Sequence, residues 1–220
     1  MKRAIIFSFF FLIFFISFSQ EITIKSIPVP LYFENNPLDY KLTVDNSLQI
    51  TSGANTDLFI SPDGTYSPNS SPRLLFSPDS NFIFTSKITP DFKSNWDAGV
   101  LLIYNDSSHF AKFCYETDYQ GQPRIVTVVC NERSDDCNSM AVNNISIYYR
   151  IIGSIKGQTF TFYSSEDGNS WYLVRTFKLN KTDNIRIGFS SQSPTGKGCR
   201  AEFSEISLQS GKPHDFWKGK

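Results

Sequence analysis

The chain is 220 residues long, with 21 basic and 21 acidic side chains and a formal net charge of zero. That balance supplies no global field for polyanions, so nucleic acid and anionic membrane surfaces are not expected as partners. Apolar residues form 40% of the sequence and 21 residues are phenylalanine, which suffices for one domain with a substantial core.

The chain begins Met1-Lys2-Arg3 and continues in an apolar run over residues 4–16 that only Ser8 interrupts. Ser17-Phe18-Ser19 then places small residues at the minus-three and minus-one positions of a cut after Ser19. The run is shorter than the roughly 20 residues that cross a bilayer, so residues 1–19 read as a cleaved signal peptide. Export follows as an expectation: a secreted or extracytoplasmic protein, periplasmic in a Gram-negative source, with no membrane contact after cleavage. Residues 20–209 are expected to form one domain, and 210–220, polar apart from Phe216 and Trp217, a fraying tail without a role.

Beyond the leader, short runs rich in aromatic and β-branched residues alternate with turn formers, and helical periodicity is nearly absent. The predicted strands are 48–51, 82–88, 98–104, 110–117, 124–130, 145–152, 159–164, 171–177, 184–190 and 201–208. The turns between them include Asp118-Tyr119-Gln120-Gly121-Gln122-Pro123 and Glu166-Asp167-Gly168-Asn169, residues that tolerate or impose turn dihedrals. Residues 57–79 carry Pro62, Gly64, Pro68, Pro72 and Pro78 and are predicted as one long surface loop, serving either a ligand or a crossover between sheets. The pattern is that of an all-β antiparallel sandwich.

Four cysteines, Cys114, Cys130, Cys137 and Cys199, follow the leader, and export would allow them to pair. Three pairings are open; nearness in sequence favours Cys130 with Cys137, leaving Cys114 for Cys199. A zinc site lacks a Cys-x-x-Cys pair and has only His109 and His214 to draw on. Asn105, Asn144 and Asn180 head Asn-x-Ser/Thr triplets, glycan acceptors in a source that glycosylates secreted proteins.

An ordered series of motifs runs along the chain: Thr56-Asp57; Asp97-Ala98-Gly99-Val100; Lys112 and Glu116; Ser134-Asp135; Arg150; Ser165-Glu166-Asp167-Gly168-Asn169-Ser170-Trp171; and Pro194-Thr195-Gly196-Lys197-Gly198. In that order it resembles the regulation-of-enolase family of unknown-function domains, grouped with the concanavalin A-like lectins and glucanases. The resemblance implies a jelly-roll sandwich of two curved antiparallel sheets. The sequence departs from the family at Cys114, Cys130 and Asp136, where glycine, threonine and tryptophan are usual, which implies locally added cysteines and one aromatic platform fewer.

Strand parity puts Lys112, Cys114 and Glu116 on one face and Phe113 and Tyr115 on the other, so one face is polar and available to a ligand. The run Glu116-Thr117-Asp118-Tyr119-Gln120 resembles the Glu-x-Asp-x-Glu strand of glucanases on this fold, but Gln120 cannot exchange a proton as the last carboxyl must. Lys112, Glu116 and Arg150 are read either as a ligand-binding polar cluster or as an ion-pair network that only sets strand register. Asp57, Asp97 and Asp135 flank strands and are candidate calcium ligands or turn caps; no other cofactor is expected. Trp96, beside Asp97, is the best placed aromatic for stacking on a sugar ring.

These residues support an exported, non-catalytic carbohydrate-binding module using Lys112, Glu116, Asp135, Arg150, Trp96 and Asp97. The alternatives are a glycan-active hydrolase pairing Glu116 with Asp135 or Asp97, and a structural or protein-interaction sandwich with no small ligand.

Overall fold

A computed structural model describes residues 21–220, so the predicted signal peptide lies outside the described residues. The described chain contains strands and no helix, arranged as two antiparallel sheets packed face to face in a jelly-roll sandwich. The first sheet has eight strands in the order β1 (Ile22–Ile24), β2 (Ile27–Glu34), β5 (Arg73–Phe76), β14 (Arg186–Gln192), β7 (Ala98–Asp106), β8 (His109–Thr117), β9 (Pro123–Asn131) and β10 (Arg133–Ala141). The second has seven: β13 (Tyr172–Lys178), β12 (Thr159–Ser165), β11 (Ile147–Ser154), β6 (Asn81–Pro90), β15 (Arg200–Ser210), β4 (Leu48–Thr51) and β3 (Asp39–Leu42).

Side-chain alternation builds the core between the sheets. From β8, Ala111, Phe113 and Tyr115 point inward, and Phe113 stacks on Tyr149 of β11 at 3.6 Å and Phe162 of β12 at 4.5 Å between ring centroids. Phe84 meets Phe76 and Phe189 edge-on across the same layer. The opposite parity sends Lys112, Cys114 and Glu116 to the outer face of the eight-stranded sheet. Gly188 has no room for a side chain, because a Cβ there would stand 1.9 Å from the carbonyl oxygen of Leu74 on the neighbouring strand.

All ten predicted strands are present, with ends shifted by a few residues at most. Five others were not predicted: β1, β2, β3, β5 and β10. The predicted 57–79 loop is interrupted by β5, whose four residues are all buried. The rest of it folds back over the outer face of the first sheet, where Leu58, Phe59 and Ile60 pack against Leu102, Tyr104, Phe110 and Val128.

The expected disulfides are not formed: all four thiols are free. The β9–β10 register places Cys130 opposite Ser134 and Cys137 opposite Thr127. The two cysteines are therefore three steps apart on the ladder, about 10 Å at the usual rise, beyond the Cα separation a disulfide spans. Cys114 lies among Ala98, Val100 and Val126, on the outer face of the first sheet, whereas Cys199 immediately precedes β15 of the second.

The tail also differs from expectation. Rather than fraying, it turns back on the outer face of the second sheet, where the Phe216 carbonyl accepts from the Tyr163 hydroxyl at 2.6 Å and the buried Gly219 carbonyl accepts from Arg150.

Candidate functional site

The outer face of the first sheet carries a cavity of about 410 Å³. Its floor is Lys112 and Glu116 of β8 with Val126 and Val128 of β9. The returning 57–79 segment forms one wall with Asp57, Phe59 and Tyr66, and Trp96, Gln192, Pro194 and Thr195 form another; Asp136 of β10 closes the rim.

A linked set of polar groups runs along the base. Lys112, only 3% exposed, donates through Nζ to Asp57 Oδ1 at 3.1 Å and to Gln192 Oε1 at 3.0 Å. Gln192 passes the link on, donating through Nε2 to Glu116 Oε2 at 3.2 Å. Asp57 also accepts from the Leu58 amide at 2.7 Å. Buried polar groups need such partners, and here each supplies the next.

Burial opposes the charge on Lys112, but the Asp57 carboxylate paired with it outweighs that, so it is held protonated above the usual lysine range. Burial pushes Glu116 the other way for an acid, up to about 8; Asp57, Asp136 and Asp118 add to that and Lys112 opposes it. Burial thus favours the neutral carboxyl of Glu116 over the carboxylate. Cys114, next to it on the same face, is pushed well above the ordinary thiol value by burial, which makes it a poor nucleophile.

Trp96 stands at the cavity wall in a left-handed backbone conformation, φ 65°, which is uncommon for a bulky residue. Its amide donates to the Thr117 carbonyl at 2.7 Å, and the following Asp97 is buried and accepts from the Lys93 and Ser94 amides, each at 2.9 Å, and from Ser193 Oγ at 2.6 Å. This turn holds the indole at the wall with 40% of the residue exposed. Tyr66, 47% exposed, faces the same space.

Of the sequence-predicted site residues, Lys112, Glu116, Trp96 and Asp57 come together. Asp97 does not line the cavity; it caps the turn that carries Trp96. Asp135 does not either: it pairs with Arg175 of β13 at 2.8 Å, and its neighbour Asp136 faces the cavity instead. Arg150 lies on the outer face of the other sheet, with its guanidinium 3.8 Å over the Trp171 ring, bonded to Thr85 and Gly219. The three aspartates considered for calcium are thus held by three separate sets of partners, and no group of three or more metal-ligating side chains occurs among the described residues. Asp118 closes the turn after β8, paired with Arg124 at 2.9 Å and accepting from the Gln120 and Gln122 amides, so the glucanase-like run does not continue as strand.

Sequence reasoning missed Gln192, Phe59, Tyr66 and Asp136. Asp136 had a signal, since it stands where the resembled family carries tryptophan.

Known structures share the fold. A functionally unknown protein from Saccharomyces cerevisiae is similar with a TM-score of 0.76 at 20% identity, over 83% of this chain and 97% of that one. The GH43 protein BlXynB from Bacillus licheniformis is similar at 0.65 and 14% identity; the match covers 82% of this chain but only 37% of the BlXynB chain. A Lotus tetragonolobus seed lectin is similar at 0.50 and 13% identity, over 84% of this chain and 94% of the lectin. The comparison with curated proteins returns no match. The family described as protein of unknown function DUF1349 matches residues 33–211, through every strand that builds the cavity, and the chain belongs to that family.

Proposed function

We propose that the protein is an exported, non-catalytic carbohydrate-binding module whose site is the cavity over β8 and β9. One observation carries the reading: a buried chain of hydrogen-bonding groups, Asp57, Lys112, Gln192 and Glu116, lies at the base of a cavity walled by the partly exposed rings of Trp96 and Tyr66. A sugar offers hydroxyls to such a base and an apolar C–H face to such a wall. Export is supported by the leader sequence, and the lectin-like fold suits the role. The motif series supports the narrower likeness to the regulation-of-enolase group, but an exported chain would not meet a cytosolic glycolytic enzyme, so no metabolic role is carried over.

Hydrolysis by Glu116 with Asp97 or Asp135 loses support, because neither aspartate reaches the cavity. The test is binding of the mature chain to immobilised polysaccharides, with product release monitored and Trp96→Ala as the variant. Binding that Trp96→Ala weakens tenfold or more, without release, is the expected result. Release of reducing ends would instead make Glu116 an acid working with Asp136, and absence of binding would leave the sandwich a structural module.

A further inference from the structure

We propose, building on the carbohydrate reading, that the cavity selects uncharged sugar units over acidic ones, and that Glu116 sets the choice by donating its carboxyl proton to a ligand oxygen. The argument starts at Lys112. An ammonium has only donors, so Gln192 must turn its oxygen toward Nζ, 3.0 Å away. Its amide nitrogen is thereby directed at Glu116 Oε2, at 3.2 Å, and at the Trp96 carbonyl, at 3.4 Å. With Oε2 already accepting, the carboxyl proton belongs on Oε1, the oxygen left for a ligand in the cavity that Glu116 lines.

The charged groups around Glu116 favour the same state. Lys112 on its own strand is the nearest cation, and Asp57 from the returning segment already pairs with it. Asp136 from β10 and Asp118 from the β8–β9 turn, the latter paired with Arg124, add negative charge; β14 contributes only the neutral Gln192. Burial, with these carboxylates, keeps Glu116 protonated to about pH 8. The cavity lining thus holds Asp57 and Asp136 against the single cation Lys112. A sugar carboxylate would bring further negative charge into this space with no free cation to meet it. A neutral sugar meets a donor at Glu116 and an acceptor at Asp136.

The experiment compares neutral xylan, mannan and β-glucan with acidic polygalacturonate and alginate, between pH 6 and 9, on the full mature chain and on Glu116→Gln. Glutamine keeps a neutral donor at every pH. The expected result is a neutral polymer bound at least about tenfold more tightly than either acidic one at pH 7, with binding by the parent falling about tenfold between pH 7 and pH 9 as Glu116 ionises, while Glu116→Gln binds with no such fall. Acidic polymers bound equally well, or a parent profile that stays flat to pH 9, would overturn the inference and leave the carbohydrate reading standing. Binding of neither series by a variant and parent of matching circular dichroism would overturn the carbohydrate reading itself, and this inference with it.

Discussion

Replacing Lys112 by methionine tests the base of the cavity directly, because methionine keeps much of the stem and removes the charge. Lys112 is 3% exposed and pairs with Asp57 at 3.1 Å, so the substitution leaves a buried carboxylate without its cation and Gln192 Oε1 without a donor. Breaking a buried pair from one side costs about 3–5 kcal/mol. In a domain of this size each kcal/mol moves the melting temperature by about 2–4 °C, so Lys112→Met should melt roughly 10 °C lower than the parent. Thermal and urea unfolding of Lys112→Met, Asp57→Asn and the double variant complete a double-mutant cycle. The double variant, with both charges gone, should recover about 2 kcal/mol or more relative to the sum of the single losses. A loss below about 1 kcal/mol in Lys112→Met, or strict additivity in the cycle, would refute the coupled network.

Three further outcomes follow from particular contacts. Glu116 has its pKa raised from 4.5 to about 8 in the fold, so its contribution to stability is fully present below pH 4.5 and lost as pH rises through 8; urea titrations should show stability falling between pH 5 and 8 in the parent and much less in Glu116→Gln. Gly188→Ala would force a Cβ to within 1.9 Å of a strand carbonyl, a clash that backbone cannot absorb locally, and should cost more than about 3 kcal/mol or abolish soluble expression. Thiol titration should count one reactive cysteine in the native protein, the exposed Cys137, and four in denaturant, whereas any lasting disulfide would lower the denatured count by two.

Most of the sandwich was legible because its long strands alternate strongly. The strands that escaped lack that signal for identifiable reasons. β10 is a polar edge strand, Arg133–Ala141, with almost no apolar alternation to read. β2 holds Pro28 and Pro30, which count against a strand unless it lies near a sheet edge, where this one does. β5 is a four-residue run between Pro72 and Pro78 and too short to stand out.

The site divides along the same line. Parity within one strand is local information, and it correctly grouped Lys112 with Glu116. Which sheet a strand joins is not local: Arg150 does point outward, but from the other sheet, since Tyr149 and Ile151 beside it are core residues. Asp135 and Asp136 differ by one step of register. Asp135 lies opposite Val129, a core residue, and so takes the side facing the second sheet and Arg175, while Asp136 lies opposite Val128 on the cavity side. Gln192 reaches Lys112 across 80 residues of sequence, a contact that only the strand order β14-β7-β8 creates.

The contrast within one sheet face bears on whether Lys112 and Glu116 serve only the fold. Toward one end of β7 and β8, the returning segment seals that face with Leu58, Phe59 and Ile60 packed on Leu102, Tyr104, Phe110 and Val128. The seal stops at the rung where Lys112 lies between Leu102 and Val128, and from there Lys112, Gln192 and Glu116 line the cavity that Asp57, Phe59 and Tyr66 of the same segment wall. Apolar residues of similar volume generally stabilise such a position as well as a buried ion pair or better. The fold had that solution available a few residues away. Arg150, by comparison, is covered by the tail and stacked on Trp171, as a residue that only supports the fold should be. An ionic network kept at the base of a cavity, next to an apolar seal on the same strands, is the arrangement that the proposed ligand-binding role requires, whereas a purely structural role would be served by extending the seal.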